Sequence, residues 1–318
     1  MYKIDDHPWP TTVFTSMEEI IGTLDELEKR GNWVFRGNSR DWGTLKPTID
    51  CKWDETIPRA KKLDIERQSI DLLRRWNSDP ETMESKVLHK GITREYYKYA
   101  TCDLETLMLL RHYGVPTRLL DWSNCSYIAA YFSVAQISDF SGQDNEGYNG
   151  EIWAFDRKKF FEKCDEYWKN IPELQSTEDC LKKDHLAYHL SDGERSFEYI
   201  LRTAFDEAAP HDWIMPVYNY VGFPRYVAQN GLFTITSNFG IDHAKIISER
   251  LEDCSLYQRL IINSKFKKEL RELLKSKYCS RGDLFPDTAG AAETVKQTLN
   301  EVFPATSVRK SKLLVSSQ

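Results

Sequence analysis

Residues 109–135 read LLRHYGVPTRLLDWSNCSYIAAYFSVA, and this stretch places charged groups between two apolar helical patterns. Arg111, Arg118 and Asp121 stand among leucine, valine and isoleucine residues. Because charges seldom lie in apolar surroundings unless they are paired or used, the stretch predicts a polar site within the core. A second phrase, residues 33–37 (WVFRG), is a short strand-like apolar run that ends in an arginine and a glycine.

Periodicity outside these phrases indicates the fold class. Ser16 and Glu19 have the spacing of a capping box, and Gly31 is placed to end the first helix. Helices are predicted over 16–30, 58–77, 103–113, 124–135, 265–277 and 289–302, and strands over 33–36, 151–155, 215–220 and 231–236. No regular alternation of strands and helices occurs, which favours α+β: a mostly helical single domain around a small mixed or antiparallel sheet.

The pattern also suggests domain boundaries. Residues 1–15 read as an N-terminal lead-in, and residues 16–303 as one domain with a charged helical insertion near 157–207. Residues 304–318 read as a polar tail.

Composition excludes several classes of protein. The net charge of −6 gives no global attraction for nucleic acid or anionic lipid. The 7 cysteines are scattered without a CxxC motif, which is typical of reduced thiols in the cytoplasm. No apolar run approaches the roughly 20 residues of a membrane-spanning helix, and the N-terminus lacks the pattern of a signal peptide. We therefore expect a cytoplasmic protein without a membrane or nucleic-acid partner.

Arg36 and its neighbour Gly37 are the first candidates for ligand binding. A guanidinium at the end of a strand suits a carboxylate or a phosphate, and a glycine leaves room for the ligand. The structural alternative is an ion pair between Arg36 and Asp121 that holds a strand to a loop. His112 either shuttles a proton or caps the end of its helix before Gly114.

The turn after Pro116 supplies further candidates. Arg118 either binds an anion or pairs with Asp121, and Trp122 is either a stacking wall or part of the core. Ser123 fits the cap of the helix that follows it.

Gln229 lies in a third phrase of polar residues among apolar ones. Its amide either orients a ligand or ties down the turn before a strand.

Motifs for metals and phosphates are absent from the sequence. His185 and His189 have the i, i+4 spacing of a metal pair on a helix, but no third ligand accompanies them. There is no Walker loop, no GxGxxG and no GxSxG motif. We therefore expect no metal.

The polar phrases resemble the signatures of the FRG domain, a family named for a Phe-Arg-Gly motif. The resemblance rests on Phe35-Arg36-Gly37, on the run from His112 to Trp122 with Thr117 inside it, and on Ala129-x-Tyr131-Phe132. Gln229-x-Gly231-x-Phe233 and Leu284-Phe285-Pro286-Asp287 resemble the downstream signatures. The family is bacterial and phage-associated, and its polar signature matches positions 36, 112, 118, 121 and 229.

A more remote similarity connects these phrases to ADP-ribosyltransferases. Phe35-Arg36-Gly37 resembles their first strand, and Asp121-Trp122-Ser123 followed by Ala129 and Phe132 resembles their second element. The resemblance implies an ADP-ribosyltransferase-like fold and NAD as the ligand. The catalytic glutamate of that family falls near Gln229 here, and a neutral amide stabilises an oxocarbenium-like charge poorly.

Two hypotheses follow. In the first, the protein is an enzyme with a pocket for a nucleotide-like small molecule. Its candidate catalytic residues are Arg36, His112, Asp121 and Gln229, and its candidate ligand-binding residues are Arg36, Gly37, Thr117, Arg118, Trp122, Ser123 and Tyr131. In the second, the chain is a non-catalytic module that binds a protein partner, for example in phage defence. Arg36, Arg118 and Asp121 then form a structural ion network.

Overall fold

A computed structural model describes residues 7–51, 55–77, 99–135, 147–169, 204–205, 212–217, 224–287, 290–292 and 295. The strands are β1 (Thr11–Val13), β2 (Trp33–Asn38), β3 (Leu119–Ser123), β4 (Gly150–Asp156), β5 (Ile214–Val217), β6 (Gly231–Thr236) and β7 (Tyr257–Ile262). The helices are α1 (Met17–Lys29), α2 (Arg59–Asn77), α3 (Tyr99–His112), α4 (Ser126–Ser133), α5 (Arg157–Lys169), α6 (Pro224–Ala228), α7 (His243–Leu251), α8 (Lys267–Ser276) and α9 (Arg281–Leu284). Two short 3-10 turns cover Cys254–Leu256 and Ser264–Phe266.

The strands form one mixed sheet in the order β1-β7-β4-β2-β3-β6-β5. β1 pairs with β7 in parallel, and the other neighbours pair antiparallel. The predicted α+β class and its single domain with a mixed sheet are confirmed.

Apolar clusters cover both faces of the sheet. On one face Val34 and Phe155 belong to a cluster with residues of α3, α5 and α7. On the other face Phe35 and Ala154 belong to a cluster with residues of α1, α4 and α8. Because side chains alternate along a strand, neighbours in β2 and β4 enter different cores, and these strands read as nearly continuous apolar runs.

The first helix begins as its sequence predicts, with one difference in its cap. The Ser16 hydroxyl accepts a hydrogen bond from the Glu19 amide. The Glu19 carboxylate accepts its shortest hydrogen bonds from the amide and the hydroxyl of Thr15, both at 2.9 Å. Gly31 follows the helix with a φ of +72°, a backbone conformation that favours glycine.

The structure differs from the predicted boundaries in several places, two of which change the account of the fold. Part of the predicted lead-in belongs to the fold, since Trp9 is buried and Thr11–Val13 is strand β1. Strand β3 occupies Leu119–Ser123, where the sequence suggested only a turn before a helix. Most of the proposed insertion at 157–207, most of the predicted final helix and all of the tail lie outside the described residues.

Candidate functional site

The site lies where two strands of the sheet separate. β2 and β4 pair from Trp33 to Asn38, whereas β2 and β3 are in register only at Phe35 and Ser123. Beyond that pair, the Nη1 atom of Arg36 donates to the main-chain carbonyl of Asp121 at 2.9 Å. The Arg36 side chain thus joins β2 to β3 at a position where a regular sheet would have a hydrogen bond between main-chain groups. The two strands separate there, and the space between them opens into a cleft.

The cleft has a volume of about 400 Å³, which is within the range of small-molecule sites. Arg36, Arg111 and Arg225 line it together with one carboxylate, that of Asp121. Aromatic side chains from several elements form much of the remaining wall: Trp42, Tyr113, Trp122, Tyr226, Phe233 and Phe285.

Two arginines hold the Asp121 carboxylate. Arg111 binds it in a two-pronged contact, from Nε to Oδ1 at 2.7 Å and from Nη2 to Oδ2 at 2.8 Å. Arg36 Nη1 donates to Oδ2 at 3.0 Å. The third donor of Arg111, Nη1, reaches the hydroxyl of Thr48 at 3.0 Å.

Charge in this network is unbalanced. Burial alone would raise the pKa of the Asp121 carboxyl, but the guanidinium groups of Arg111 and Arg36 hold that pKa well below its usual value. Asp121 is therefore ionised at neutral pH, and among the described residues that line the cleft it is the one carboxylate beside these two cations. Burial lowers the pKa of the Arg36 guanidinium while Asp121 opposes that shift, and arginine remains charged at neutral pH.

A second polar cluster, formed by Arg225, Asp287 and His112, lies at the wall of the cleft. Arg225 donates from Nε and Nη2 to the carboxylate of Asp287 and from Nη1 to the main-chain oxygen of His112. His112 Nε2 lies 3.8 Å from Asp287 Oδ2. Arg225 also lowers the pKa of Asp287 through its hydrogen bond. The end of α3, α6 and the segment after α9 are thereby fixed together.

A buried polar chain lies beneath the cleft. Trp122 Nε1 donates to the Thr234 hydroxyl at 2.9 Å, and that hydroxyl lies 2.9 Å from His243 Nδ1. Burial, and then the charge of Arg36, lower the pKa of His243 to about 3, so the ring is neutral.

Gly37 lines the cleft, but its lack of a side chain serves the packing of a helix. A Cβ on Gly37 would lie 1.8 Å from the main-chain oxygen of Ala129. Gly150 on the neighbouring strand faces α4 in the same way, 2.2 Å from the oxygen of Ser133. The small residues of α4, including Ala129 and Ala130, allow the close packing that the sequence predicts. The room at Gly37 is therefore taken by α4, which corrects the expectation that it admits a ligand.

Arg118 lies outside the cleft and is fully buried. It binds Glu66 in a two-pronged ion pair, from Nε at 2.9 Å and from Nη2 at 2.6 Å. Its Nη1 donates to the main-chain oxygens of Ala204, Thr236 and Ser237. The expectation that Arg118 and Arg36 bind one anion is wrong, because every donor of Arg118 already has an acceptor. The predicted pairing of Arg118 with Asp121 is wrong for the same reason.

Three other predicted ligand residues, Thr117, Ser123 and Tyr131, do not line the cleft. Thr117 is buried, and its hydroxyl accepts from the Leu119 amide. The Ser123 hydroxyl donates to the Gln229 carbonyl and accepts from the Cys125 amide. Tyr131 packs against Phe132, and it is Phe132 that lines the cleft. Trp122 lines the cleft but is 2% exposed, so it is a core residue with little surface for stacking.

The structure brings the four predicted catalytic residues to one place. Arg36, His112, Asp121 and Gln229 all line the cleft, although they come from four separate elements or turns. The Gln229 side-chain amide donates to the main-chain oxygen of Leu284 at 3.1 Å, so it ties down a turn.

Sequence reasoning assigned no site role to Arg111, Arg225, Asp287 or Trp42. For the first three a signal existed, since each stands in or beside a motif phrase: next to His112, after Pro224, and at the end of Leu284–Asp287. Trp42 stands in a loop without any pattern. Only the fold brings it to the cleft.

The described residues contain no group of three or more His, Cys, Asp or Glu side chains placed to hold a metal ion. His185 and His189, whose spacing alone was suited to a metal, lie outside the described residues. Within the same part of the chain, no helix combines the length and the apolar composition that crossing a membrane requires.

Comparison with known proteins agrees with the motif phrases. The FRG domain family model matches residues 31–142, which include Arg36, Gly37, Arg111, His112 and Asp121. Neither a curated protein nor a solved structure matches the chain. The strand that bears Arg36 and the helix and strand that bear Arg111 and Asp121 thus lie within the matched segment, and residues 31–142 are the part of the chain that is similar to the FRG domain family.

Proposed function

We propose that the cleft binds a phosphate-bearing small molecule. The observation that carries this proposal is the excess of positive charge: Arg36 and Arg111 share the single carboxylate of Asp121 at the junction of β2 and β3. An anion would neutralise the remaining cation, and guanidinium groups bind phosphate oxygens strongly. The aromatic walls would cover the apolar part of such a ligand.

Arg36 supplies the donors for that anion. Arg111 has an acceptor for each of its side-chain nitrogens, two on Asp121 and one on Thr48. Among the described residues, Arg36 makes hydrogen bonds through Nη1 alone, and its Nε is buried without a partner. The side chain is 15% exposed and lines the cleft. Nη2 is therefore the donor that we assign to the ligand.

NAD is the probe that the resemblance to ADP-ribosyltransferases suggests. Its pyrophosphate suits the surplus charge, and its two rings suit the aromatic walls. Group transfer has less support, because the lining carboxylate is already bound by two guanidinium groups and the Gln229 amide is tied to Leu284. A carboxylate held in this way is a poor base and cannot approach a developing cation freely. We therefore propose binding without assigning catalysis.

The alternative function is a non-catalytic module in which the polar cluster only stabilises the fold. The ion pair of Arg36 with Asp121 favours it, since that pair joins β2 to β3 where their register ends. The two functions differ in what Arg36 does. A ligand-binding arginine is needed for affinity, and a structural arginine is needed for stability.

Thermal unfolding of Arg36→Gln with and without ligand separates the two functions. We expect 1–5 mM pyrophosphate, ADP-ribose or NAD to raise the melting temperature of the wild type, because a ligand that binds only the folded state stabilises it. Arg36→Gln should lose that shift, since hydrogen bonds to charged groups contribute about 1.5–3 kcal/mol, or roughly 10- to 100-fold in affinity.

Arg30→Gln is the matched control, because Arg30 is an exposed arginine that pairs with Glu26 on α1. It should keep the shift. If none of the three ligands stabilises the wild type, the binding function is rejected. If Arg36→Gln instead lowers the melting temperature strongly and leaves ligand binding intact, the structural function is correct.

A further inference from the structure

We propose that Trp42 stacks on the heterocyclic base of a nucleoside diphosphate at the mouth of the cleft, so that a ring and a phosphate group are recognised together. The inference rests on the proposed function, since the phosphate is the part bound by Arg36. To that function the inference adds the chemical class of the rest of the ligand, a nucleoside, and the residue that recognises its base, Trp42.

The exposure of Trp42 separates it from the other tryptophans. Trp42 is 56% exposed, whereas Trp9, Trp33, Trp122, Trp153 and Trp213 are at most 6% exposed. These are all the other tryptophans whose exposure the structure describes. Because Trp42 also lines the cleft, its exposed ring offers a flat apolar face that a ligand can cover.

Exposed aromatic rings are concentrated at this cleft. Among the described residues, four aromatic side chains count as exposed: Trp42, Tyr113, Tyr148 and Tyr278. Trp42 and Tyr113 line the cleft from different elements. Tyr148 shares a contact with Trp42, because the Arg40 guanidinium is 4.1 Å from the ring of Tyr148 and 5.4 Å from that of Trp42. A flat ligand at the mouth therefore meets aromatic surface.

Hydrogen bonds on both sides of Trp42 order its loop. Lys267 Nζ, a buried lysine, donates to the main-chain oxygen of Ser39 at 2.7 Å. Beyond Trp42, the Leu45 amide donates to Asp242 Oδ1 at 3.0 Å. The same loop reaches the site itself, since Thr48 accepts from Arg111. Binding a ring would thus cost little loss of freedom in the protein, which favours stacking on a preformed surface.

Pyrophosphate and ADP are the probes that test the inference, because they differ by the nucleoside. Isothermal titration calorimetry would give the affinity of the wild type for each. Stacking of a base on an aromatic side chain contributes roughly 5- to 150-fold in affinity, which is about 1–3 kcal/mol at about 1.4 kcal/mol per tenfold. We expect ADP to bind more tightly than pyrophosphate by that factor. Trp42→Ala should remove the advantage of ADP and leave the affinity for pyrophosphate unchanged.

Two variants control the experiment. Trp42→Phe keeps an aromatic face and should retain most of the affinity for ADP. Tyr278→Ala removes an aromatic ring that is 83% exposed and does not line the cleft, and it should change nothing. The inference is overturned if Trp42→Ala binds ADP like the wild type, or if it loses both ligands equally. Binding of pyrophosphate without any preference for ADP would refute the stacking alone, whereas binding of neither ligand would refute the phosphate site as well.

Discussion

Arg118 and Arg36 have different surroundings, although both belong to the polar signature of the sequence. Arg118 is fully buried with Glu66, and its guanidinium also lies 4.6 Å from the ring centre of Phe239. Arg36 lies at a cleft with an incomplete set of partners. The first environment makes an arginine a structural residue, and the second leaves it able to bind a ligand.

Replacing Arg118 with alanine should destabilise the protein by about 3–5 kcal/mol, because it leaves the Glu66 carboxylate buried without its partner. Urea unfolding at pH 7 measures this loss. Arg118→Lys should recover only part of it, since an ammonium group cannot make the two-pronged contact. Arg30→Ala on the surface should change stability by less than about 1 kcal/mol. A loss of that small size for Arg118→Ala would contradict the structural role.

Asp50 should make the protein less stable as the pH rises. Burial raises the pKa of its carboxyl to about 6, although Lys62 and Arg118 oppose the shift. The folded state therefore holds a proton on Asp50 more tightly than the unfolded state does, and stability falls as the pH rises from about 4 to about 6. Asp50→Asn should raise the free energy of unfolding at pH 8 by roughly 1–3 kcal/mol and leave it nearly unchanged at pH 4. An equal gain at both values would show that titration is not the cause.

The sequence predicts which residues meet at the cleft better than it predicts what each one does. Arg36, His112 and Asp121 stand in phrases whose polar character among apolar neighbours is visible locally. The partners of Arg118 are not local, since Glu66 belongs to α2 and the accepting carbonyls belong to distant segments. No pattern within one phrase contains that information, so Arg111 and Arg118 look alike in the sequence.

The packing of α4 against the sheet depends on a glycine in β2. Gly37→Ala should destabilise the protein by about 3 kcal/mol or more, because the added Cβ would meet the backbone of α4 and not a movable side chain. Gly22→Ala is the matched control, since nothing lies within 4 Å of a Cβ there and the residue is exposed on α1. That change should stabilise the helix by about 0.5–1 kcal/mol. Chemical denaturation compares the two variants, and similar effects would argue against the close packing at Gly37.

The sequence predicts an element correctly where the signal lies in neighbouring residues. It misses an element that depends on contacts with residues distant in the sequence. Ser16 and Gly31 mark the ends of α1 through their own backbone chemistry. β3 is five residues long and carries a charged residue at its centre, so neither alternation nor an unbroken apolar run identifies it. Its pairing with β6, from Leu119 to Ser123, is what makes it a strand. β7 and α7 are also absent from the predicted elements.

Acid should destabilise the whole molecule through His243. The pKa of this fully buried ring lies near 3, whereas an unfolded histidine titrates near 6.5. The unfolded state therefore binds more protons, and stability falls as the pH decreases from about 6.5 towards 3. Between pH 7.5 and pH 5, the free energy of unfolding should fall less for His243→Leu than for the wild type. The two falls should differ by a few kcal/mol at most. Differential scanning calorimetry at the two pH values measures this difference, and parallel losses would exclude His243 as the cause.

Strand β1 has a consequence for how the chain is made. Thr11–Val13 pairs with Arg259–Ile261, which the ribosome synthesises 248 residues later. During translation the amino-terminal strand has emerged long before the strand that receives it exists. A neighbouring chain on the same messenger RNA that is further advanced can offer its own β7 during this interval. Exchange of β1 between copies is therefore the misassembly to which this topology is most exposed, and slow translation would favour it.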